Sequence, residues 1–217
     1  MKKYKSITNS MRHVCIVNKY FLSKSNRLNK LYLNKEIKNH AGRNNSGSIT
    51  VRTKGSKHKR KYFIIDNKRF LFNLPAVVYS NEYDCNRTSF ISLLVFKNNI
   101  CCYILSIHNL NIGDVVTSYN RNINTLYKKG DRNKLIYLTT GSIVHNIEYL
   151  PSNGGTFIRS AGTFGKLLKK YYSLNKALVE LPSKVQFFTS LHSYATLGSL
   201  SNKDHNKRII GKAGRKR

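Results

Sequence analysis

The residues with the clearest chemical potential are cations that surround a single glycine. They form one run of six Lys or Arg and one His: Arg52, Lys54, Lys57, His58, Lys59, Arg60 and Lys61. Arginine can hold a phosphate through two parallel hydrogen bonds, lysine supplies point charge, and Gly55 lets a backbone come close. A charge run of this kind is often only a solvated loop. This one joins two strand-like segments, where barrel loops often contact nucleic acid, so we interpret it as an RNA contact.

A second candidate is the glycine-rich segment 151–163. It does not match a nucleotide-binding phosphate loop, because no Gly-Lys-Ser/Thr follows the glycines. Nor does Ser160 stand in the Gly-x-Ser-x-Gly pattern of a hydrolase nucleophile. Two interpretations remain: a plain turn, or a loop whose small residues let an RNA backbone approach Arg159. We favour the second.

The histidines divide into two groups. His58 and His205 lie in basic runs and are candidates to contact phosphate or base. His145 and His192 lie in strand-like stretches, where a satisfied structural role is expected. No His-x-x-x-His pair or His/Cys cluster indicates a metal site. No Ser/His/Asp or Cys/His set for nucleophilic catalysis can be assembled either.

Cysteine and carboxylate usage points away from metal and acid–base chemistry. The four cysteines are Cys15, Cys85, Cys101 and Cys102. Without Cys-x-x-Cys spacing they indicate neither a zinc site nor a disulfide framework, and free thiols suggest a reducing compartment. Only 9 Asp and Glu residues are present, which leaves little material for proton transfer or hard-metal binding.

The overall charge points to a polyanionic partner. The 217 residues contain 39 Lys and Arg, which gives a formal net charge of +30. Such a chain repels itself when compact and typically binds nucleic acid. The best candidate for a membrane span, 91–107, is interrupted by the polar residues 97–99, so no span is predicted. Most Tyr and Phe are interleaved in strand-like segments, where core packing is the default and base stacking the alternative.

Short β segments must position the cations of the first half. We predict strands at 49–53, 61–66, 74–79, 89–96 and 100–105. Turn residues separate them, and five short strands at regular spacing indicate a small barrel.

The second half repeats this organisation after a polar, Asn-rich connector at 119–141. We predict strands at 142–148, 176–181, 185–188 and 194–197, with a tight turn at 181–184. These segments indicate a second small barrel, so the chain is predicted to be all-β.

Both ends are basic. Residues 1–41 hold ten Lys or Arg and one acid, which is compatible with a transit peptide or with an extension that folds only on RNA. The heavy use of Asn, Lys, Ile, Tyr and Phe reflects AT-rich codons of the organelle type, which implies no import step and favours the extension. Residues 201–217 contain too few apolar residues for a core, and we expect them to be disordered alone and threaded along RNA.

Eleven short motifs, in order from about residue 42 to the last, carry a family resemblance. They are Gly42-Arg-Asn-Asn-Ser-Gly-Ser-Ile-Thr-Val-Arg52, Gly55-Ser-Lys-His58-Lys-Arg60, Ile65-Asp66-Asn-Lys-Arg69, Pro75-Ala-Val-Val78, Glu82-Tyr-Asp84-Cys-Asn86-Arg87, His145-Asn146-Ile-Glu148, Gly154-Gly155, Arg159-Ser-Ala-Gly162-Thr163, Ala195-Thr-Leu-Gly198, His205-Asn206 and Gly211-Lys-Ala-Gly214-Arg-Lys-Arg217. As a set they closely resemble the large-subunit ribosomal protein L-two family. Residues 1–41 show little of this resemblance.

The resemblance implies an OB-fold barrel at 42–118 and, after the connector, an SH3-like barrel within 119–200, flanked by the basic extension 1–41 and the tail 201–217. It also implies binding to large-subunit rRNA near the peptidyl transferase region, with support for subunit association and tRNA binding. Neighbouring ribosomal proteins are implied partners. No cofactor is expected for the protein itself, and any magnesium would be associated with the bound rRNA. Taken with the basic runs, it gives these RNA-binding residues: Arg43, Arg52, Lys54, Lys57, His58, Lys59, Arg60, Lys61, Lys68, Arg69, Arg159, Lys203, His205, Lys207, Arg208, Lys212, Arg215, Lys216 and Arg217.

One departure from the family concerns the C-terminus. Family members usually continue past this closing basic run into a Gly/His-rich tail, whereas this sequence stops at Arg217. We therefore expect that a separate polypeptide supplies the missing part, or that the ribosome works without it. With the codon bias, this favours a mitochondrial ribosome, with a plastid-type ribosome as the alternative.

Two rival functions belong to other classes. An RNA-processing or RNA-modifying enzyme would need a cofactor loop, a metal cluster or paired carboxylates, and the sequence shows none of these patterns. A DNA-compacting protein fits poorly, because two small barrels with glycine loops offer no recognition helix. We expect a non-enzymatic protein.

Overall fold

A computed structural model describes residues 1–23, 33–36, 40–52, 59–121 and 127–211. Within these residues lie sixteen short strands and one 3-10 helix. The strands are β1 (Lys2–Lys3), β2 (Cys15–Ile16), β3 (Asn34–Glu36), β4 (Lys61–Phe63), β5 (Ala76–Glu82), β6 (Ile91–Phe96), β7 (Cys101–Leu105), β8 (Val115–Val116), β9 (Arg132–Lys134), β10 (Ile143–His145), β11 (Ile147–Glu148), β12 (Gly155–Phe157), β13 (Gly165–Tyr171), β14 (Lys176–Glu180), β15 (Gln186–Ser190) and β16 (Tyr194–Leu197). The 3-10 helix spans Lys203–Lys207. The prediction of an all-β chain is confirmed.

The first half is built on an antiparallel sheet with the strand order β7-β6-β5-β8. Strand β6 is buried on both faces, in agreement with a sequence that is apolar except for Ser92. Leu94 faces one hydrophobic cluster with Val78, and Leu93 faces another with Phe63 and Tyr103. Four of the five predicted strands are present here, at β4 to β7.

The second half is a six-stranded antiparallel sheet with the order β15-β14-β13-β10-β16-β9. Its cluster includes Leu167, Val179 and Ala195, which are fully buried. Leu135 and Leu138 belong to the same cluster, although both lie in the predicted connector. That prediction is wrong for these residues, because their side chains complete the core.

Two further predictions about strands are wrong. The predicted strand 142–148 is two strands, because Asn146 has a φ of 49° and turns the chain from β10 into β11. No strand runs through 49–52: Ile49 makes only an isolated bridge to Arg43, and its side chain is exposed, as is that of Val51. An exposed strand buries no apolar face, so nothing holds it in a sheet.

A buried arginine joins the two halves. Arg132 donates to the Glu148 carboxylate at 2.5 Å and to the Arg69 carbonyl at 3.3 Å. Its backbone N–H donates to the Thr117 carbonyl at 3.0 Å. Arg132 lies in β9 of the second half, as does its partner Glu148 in β11, whereas Arg69 and Thr117 belong to the first half. The side chain and the backbone of Arg132 therefore both connect the second half to the first.

The two termini pack together on the first half. Cys15 and Ile209 exchange backbone hydrogen bonds of 3.0 and 2.9 Å, and the Phe21 ring meets the Phe90 ring edge-on. The expectation of a disordered tail does not hold for residues 201–211. Ile209 pairs with the N-terminal segment through sheet-like backbone hydrogen bonds. No helix in the described ranges is long and apolar enough to cross a membrane.

Candidate nucleic-acid interface

Arg87 lies at the centre of a cationic face. Its Nε is 2.9 Å from Oδ2 of Asp84, whose side chain is fully buried. Its Nη2 donates to the Phe63 carbonyl at 2.9 Å, and its guanidinium lies 4.9 Å from the centre of the Tyr62 ring. A carboxylate, a carbonyl and an aromatic face hold this guanidinium in one place, so Arg87 is a rigid part of the face.

Arg159 lies beside Arg87 and is half-buried. Burial and then the positive charge of Arg87 lower the pKa of Arg159. Among the described residues Arg159 has no ion pair or side-chain hydrogen bond, and its desolvation and the repulsion from Arg87 outweigh the opposing contribution of Tyr62. A phosphate bound beside Arg159 would offset both effects, because phosphate forms strong charge-assisted hydrogen bonds with guanidinium groups.

Thr88 fixes two loops to this place. Its Oγ1 accepts the backbone N–H of Ala161 at 3.0 Å, and its carbonyl accepts Nδ2 of Asn202 at 2.6 Å. The first hydrogen bond holds the loop that carries Arg159, and the second holds the start of the tail. Residues far apart in the sequence are thereby assembled on one face.

The N-terminal segment adds a further cation. The Lys19 ammonium lies 3.4 Å from the centre of the Tyr83 ring. Partial burial and then the charge of Arg208 lower the pKa of Lys19, and the same two causes lower the pKa of His205. The sequence interpretation assigned neither Lys19 nor Arg87 to the site. Arg87 stands in a quoted family motif, which could have drawn attention to it, whereas no sequence signal marks Lys19.

Most predicted RNA-binding residues that the structure describes lie at the surface. The exposed ones are Arg43, Arg52, Lys59, Arg60, Lys61, Lys68, Lys203, Lys207 and Arg208, and His205 is half-buried. Two of them are engaged in surface ion pairs, Lys59 with Glu36 at 2.6 Å and Lys207 with Asp204 at 3.0 Å. Exposed pairs of this kind are weak and exchange readily for a phosphate. The predicted residues Lys54, Lys57, His58, Lys212, Arg215, Lys216 and Arg217 lie outside the described residues.

Arg69 is the exception among the predicted residues. Its side chain is 6% exposed, and its Nη1 donates to the Gly130 carbonyl at 2.9 Å. Burial and the charge of Arg132 lower the pKa of Arg69 to about 10. A direct RNA contact by the Arg69 side chain is not what this structure presents, because its guanidinium is enclosed where the two halves meet. The RNA-binding role of Arg69 stays a prediction.

The glycine-rich loop serves packing, which differs from the prediction that its glycines admit RNA backbone. Gly154 and Gly155 are buried. A Cβ on Gly155 would overlap the Asn146 side chain, and one on Gly154 would press on Lys68. These two glycines are needed because other parts of this chain come close. Arg159, towards the end of the loop, is half-buried and remains the cationic residue of this segment.

The two histidines predicted to be structural differ. His145 is buried, and its Nδ1 donates to the Gly198 carbonyl at 2.8 Å. Burial lowers the pKa of His145 to about 4, so it is neutral near pH 7 and its structural role is confirmed. His192 lies exposed in the turn between β15 and β16, so the prediction that it is a satisfied strand residue is wrong.

The described residues contain no group of three His, Cys, Asp or Glu side chains that could hold a metal ion. All four cysteines are free thiols, and burial raises the pKa of Cys102 to about 12. The site therefore consists of fixed cations, imidazoles and aromatic rings, without a nucleophile activated by a neighbouring base.

Two β halves held together by the contacts of Arg132, with cations gathered from both on one face, are the features of an RNA-binding protein. Comparison with protein families makes the assignment specific. Residues 30–118 match "Ribosomal Proteins L2, RNA binding N-terminal domain", and residues 128–217 match "Ribosomal Proteins L2, C-terminal domain". The chain belongs to the ribosomal protein L2 family. Its all-β architecture agrees with the OB-fold and SH3-like barrels expected from the resemblance.

Relatives match most or all of the chain. The large ribosomal subunit protein uL2 of Orientia tsutsugamushi (strain Ikeda) is 43% identical over 100% of this chain and 77% of that protein. The large ribosomal subunit protein uL2m of Reclinomonas americana is 39% identical over 100% of this chain and 76% of that protein. The uL2 of Amoebophilus asiaticus (strain 5a2) is 41% identical over 83% of this chain and 64% of that protein. The expectation of a separate C-terminal polypeptide finds no support in these matches.

Proposed function

We propose that this chain is a structural constituent of the large ribosomal subunit and binds its rRNA. The observation that carries the proposal is the Arg87–Arg159 pair, in which one guanidinium is fixed and its half-buried neighbour lacks a counter-charge among the described residues. Family membership and relatives named as large-subunit proteins support it.

Binding rests mainly on charge neutralisation. Each phosphate that the cationic face neutralises releases counterions, so affinity falls as salt rises. If about ten phosphates are neutralised, the plot of log affinity against log salt has a slope near −9. Selectivity comes from the shape of folded RNA, because rigid loops such as that of Arg159 fit one arrangement of phosphates.

The finer placement follows from the family resemblance. We propose contact with rRNA near the peptidyl transferase region, together with support for subunit association and tRNA binding. Neighbouring ribosomal proteins are further partners in this arrangement. In this role the protein holds RNA structure and performs no catalysis of its own.

We propose the predicted division into four parts: 1–41, 42–118, 119–200 and 201–217. The boundary between the two family matches, at 118 and 128, supports the division between the barrels. We also propose a mitochondrial location. An amino-acid composition that reflects AT-rich codons and one mitochondrial homologue support this location, while other relatives are bacterial.

Sedimentation of a native extract through high salt tests the function. The protein should travel with the large subunit. A protein that runs free of the subunit would contradict the proposal and favour the alternative, an RNA-processing or RNA-modifying factor.

A matched pair of variants tests the cationic face. Arg159→Ala should weaken binding of the chain to large-subunit rRNA and make the salt slope less steep by about 0.9 for each phosphate that is no longer neutralised. Lys97→Ala removes one charge from the exposed β6–β7 turn and should leave both quantities nearly unchanged. Equal effects of the two variants would show that charge alone, without the Arg87–Arg159 geometry, governs binding.

A further inference from the structure

A small cavity of about 140 Å³ lies where three distant parts of the chain meet. The N-terminal segment contributes Lys19, the turn before β6 contributes Arg87 and Thr88, and the tail contributes His205 and Arg208. One water needs roughly 10–15 Å³ of such space, so a group with four oxygens fits. The RNA-binding residues expected from the sequence include His205 and Arg208 but not the other three.

The charge in this cavity is positive and not balanced by the nearby acids. The Lys19 and Arg208 cations lie close enough for Arg208 to lower the pKa of Lys19. Asp84 is fully buried and engaged with Arg87. Asp204 points its carboxylate to Lys207 at 3.0 Å. Both nearby carboxylates are therefore occupied, while the cations that line the cavity repel one another.

The cavity also offers hydrogen-bond donors in fixed places. The Thr88 hydroxyl oxygen already accepts the Ala161 N–H, so its own hydrogen is left to donate. The Lys19 ammonium is held over the Tyr83 ring, and a lysine ammonium carries three donors. A hydroxyl, an ammonium and a guanidinium converging on one small space form an arrangement suited to phosphate oxygens.

We propose that this cavity binds one phosphate group, supplied by the RNA backbone, and that the bound phosphate fastens the N-terminal segment to the tail. This inference rests on the proposed function and names a binding site within it. The two segments already meet through the backbone bonds between Cys15 and Ile209, and Gly211 packs tightly against Ser10 and Val14. A phosphate bridging Lys19 and Arg208 adds a charged link beside these bonds, so RNA binding stabilises the docked termini.

Inorganic phosphate is the probe for the cavity itself. At constant ionic strength, the full-length protein should show saturable binding by calorimetry, with a shift of the His205 imidazole resonances and none for exposed His192. Lys19→Gln and Arg208→Gln should each weaken this binding by about tenfold or more, as expected for loss of a charge-assisted hydrogen bond. Lys97→Gln is the matched control and should bind phosphate as the parent protein does. Circular dichroism checks that each variant keeps its fold.

Large-subunit rRNA is the second probe and separates the sources of the phosphate. If the RNA backbone supplies it, Lys19→Gln should make the salt slope less steep by about 0.9 and should speed protease cleavage before residue 20 in the complex. Phosphate binding that is equal in parent and variants overturns the cavity assignment. Weakened phosphate binding with an unchanged rRNA slope overturns the RNA source. If the parent protein binds phosphate but not rRNA, the proposed function fails while the cavity stands.

Discussion

A single carboxylate organises the centre of this molecule. Glu148 is fully buried and accepts the Arg132 guanidinium together with the backbone N–H groups of Ser152, Gly154 and Tyr194. An ionised carboxylate has enough lone pairs for all four donors. The position of Arg132, which contacts Arg69 of the first half, and the path of the glycine-rich loop therefore depend on the same side chain.

Replacement of this carboxylate should be strongly destabilising. In Glu148→Gln the amide keeps one acceptor oxygen but leaves the buried Arg132 guanidinium without a counter-charge. Loss of one partner from a buried pair costs about 3–5 kcal/mol, which urea denaturation should register as a lower free energy of unfolding. Glu36→Gln breaks the exposed pair with Lys59 and should cause no measurable change. Similar losses in the two variants would contradict the role assigned to Glu148.

Acid should destabilise the protein through His145. Burial lowers the pKa of His145 from 6.5 to about 4 in the folded protein, so the unfolded chain binds a proton more readily. The contribution to stability is present above pH 6.5 and is lost as pH falls towards 4, by up to about 3 kcal/mol.

Unfolding measured between pH 7 and pH 4 tests this sign. His145→Gln should flatten the fall in stability over that window, even if the substitution lowers stability at pH 7. His192→Gln changes an exposed histidine and should leave the pH profile as it is. An unchanged profile in His145→Gln would rule out this residue as the source.

At the scale of elements, the strands that the sequence predicts correctly are those whose hydrophobic pattern matches their burial in the structure. Strand β6 is apolar except for Ser92 and is buried on both faces, and the predicted strand 194–197 coincides with β16. Strand β13 was missed because a bulge between Leu167 and Lys169 interrupts its alternation of buried and exposed residues. Strand β9 was missed because Arg132 and Asn133 are buried polar residues, which a single sequence gives no reason to place in a core.

The candidate site, like the strands, could be predicted only in part from the sequence pattern. Basic runs identified exposed cations correctly, because long charged side chains rarely leave the surface without a partner. Arg69 is a charged residue with buried partners more than sixty positions away, and its enclosure depends on Gly130. Lys19 joins the face only because the N-terminal segment packs on the tail. Packing between residues distant in the sequence decides these two cases, and no local pattern encodes it.

At the scale of the whole molecule, the buried contacts that stabilise the fold lie in the barrels, and many of the excess positive charges lie in the tail. The buried network of Glu148, Arg132 and Arg69 belongs to the barrels, whereas Lys203, Lys207 and Arg208 of the tail are exposed. Residues 203–217 hold seven Lys or Arg and one Asp. The tail is therefore expected to matter more for RNA affinity than for the folding of either barrel.

Deletion of residues 203–217 tests this separation. The truncated chain retains Leu200, which is fully buried, and Ser201, whose hydroxyl accepts the Phe90 N–H. Cooperative unfolding in urea should therefore persist.

Binding of the truncated chain to large-subunit rRNA should weaken, and its salt slope should become less steep by about 0.9 for each phosphate that the tail no longer neutralises. The N-terminal segment also loses the Cys15–Ile209 bridge, so limited proteolysis should cleave it faster than in the parent chain. Loss of cooperative unfolding would mean that the tail is part of the barrels' stability, and an unchanged salt slope would mean that its cations do not meet RNA.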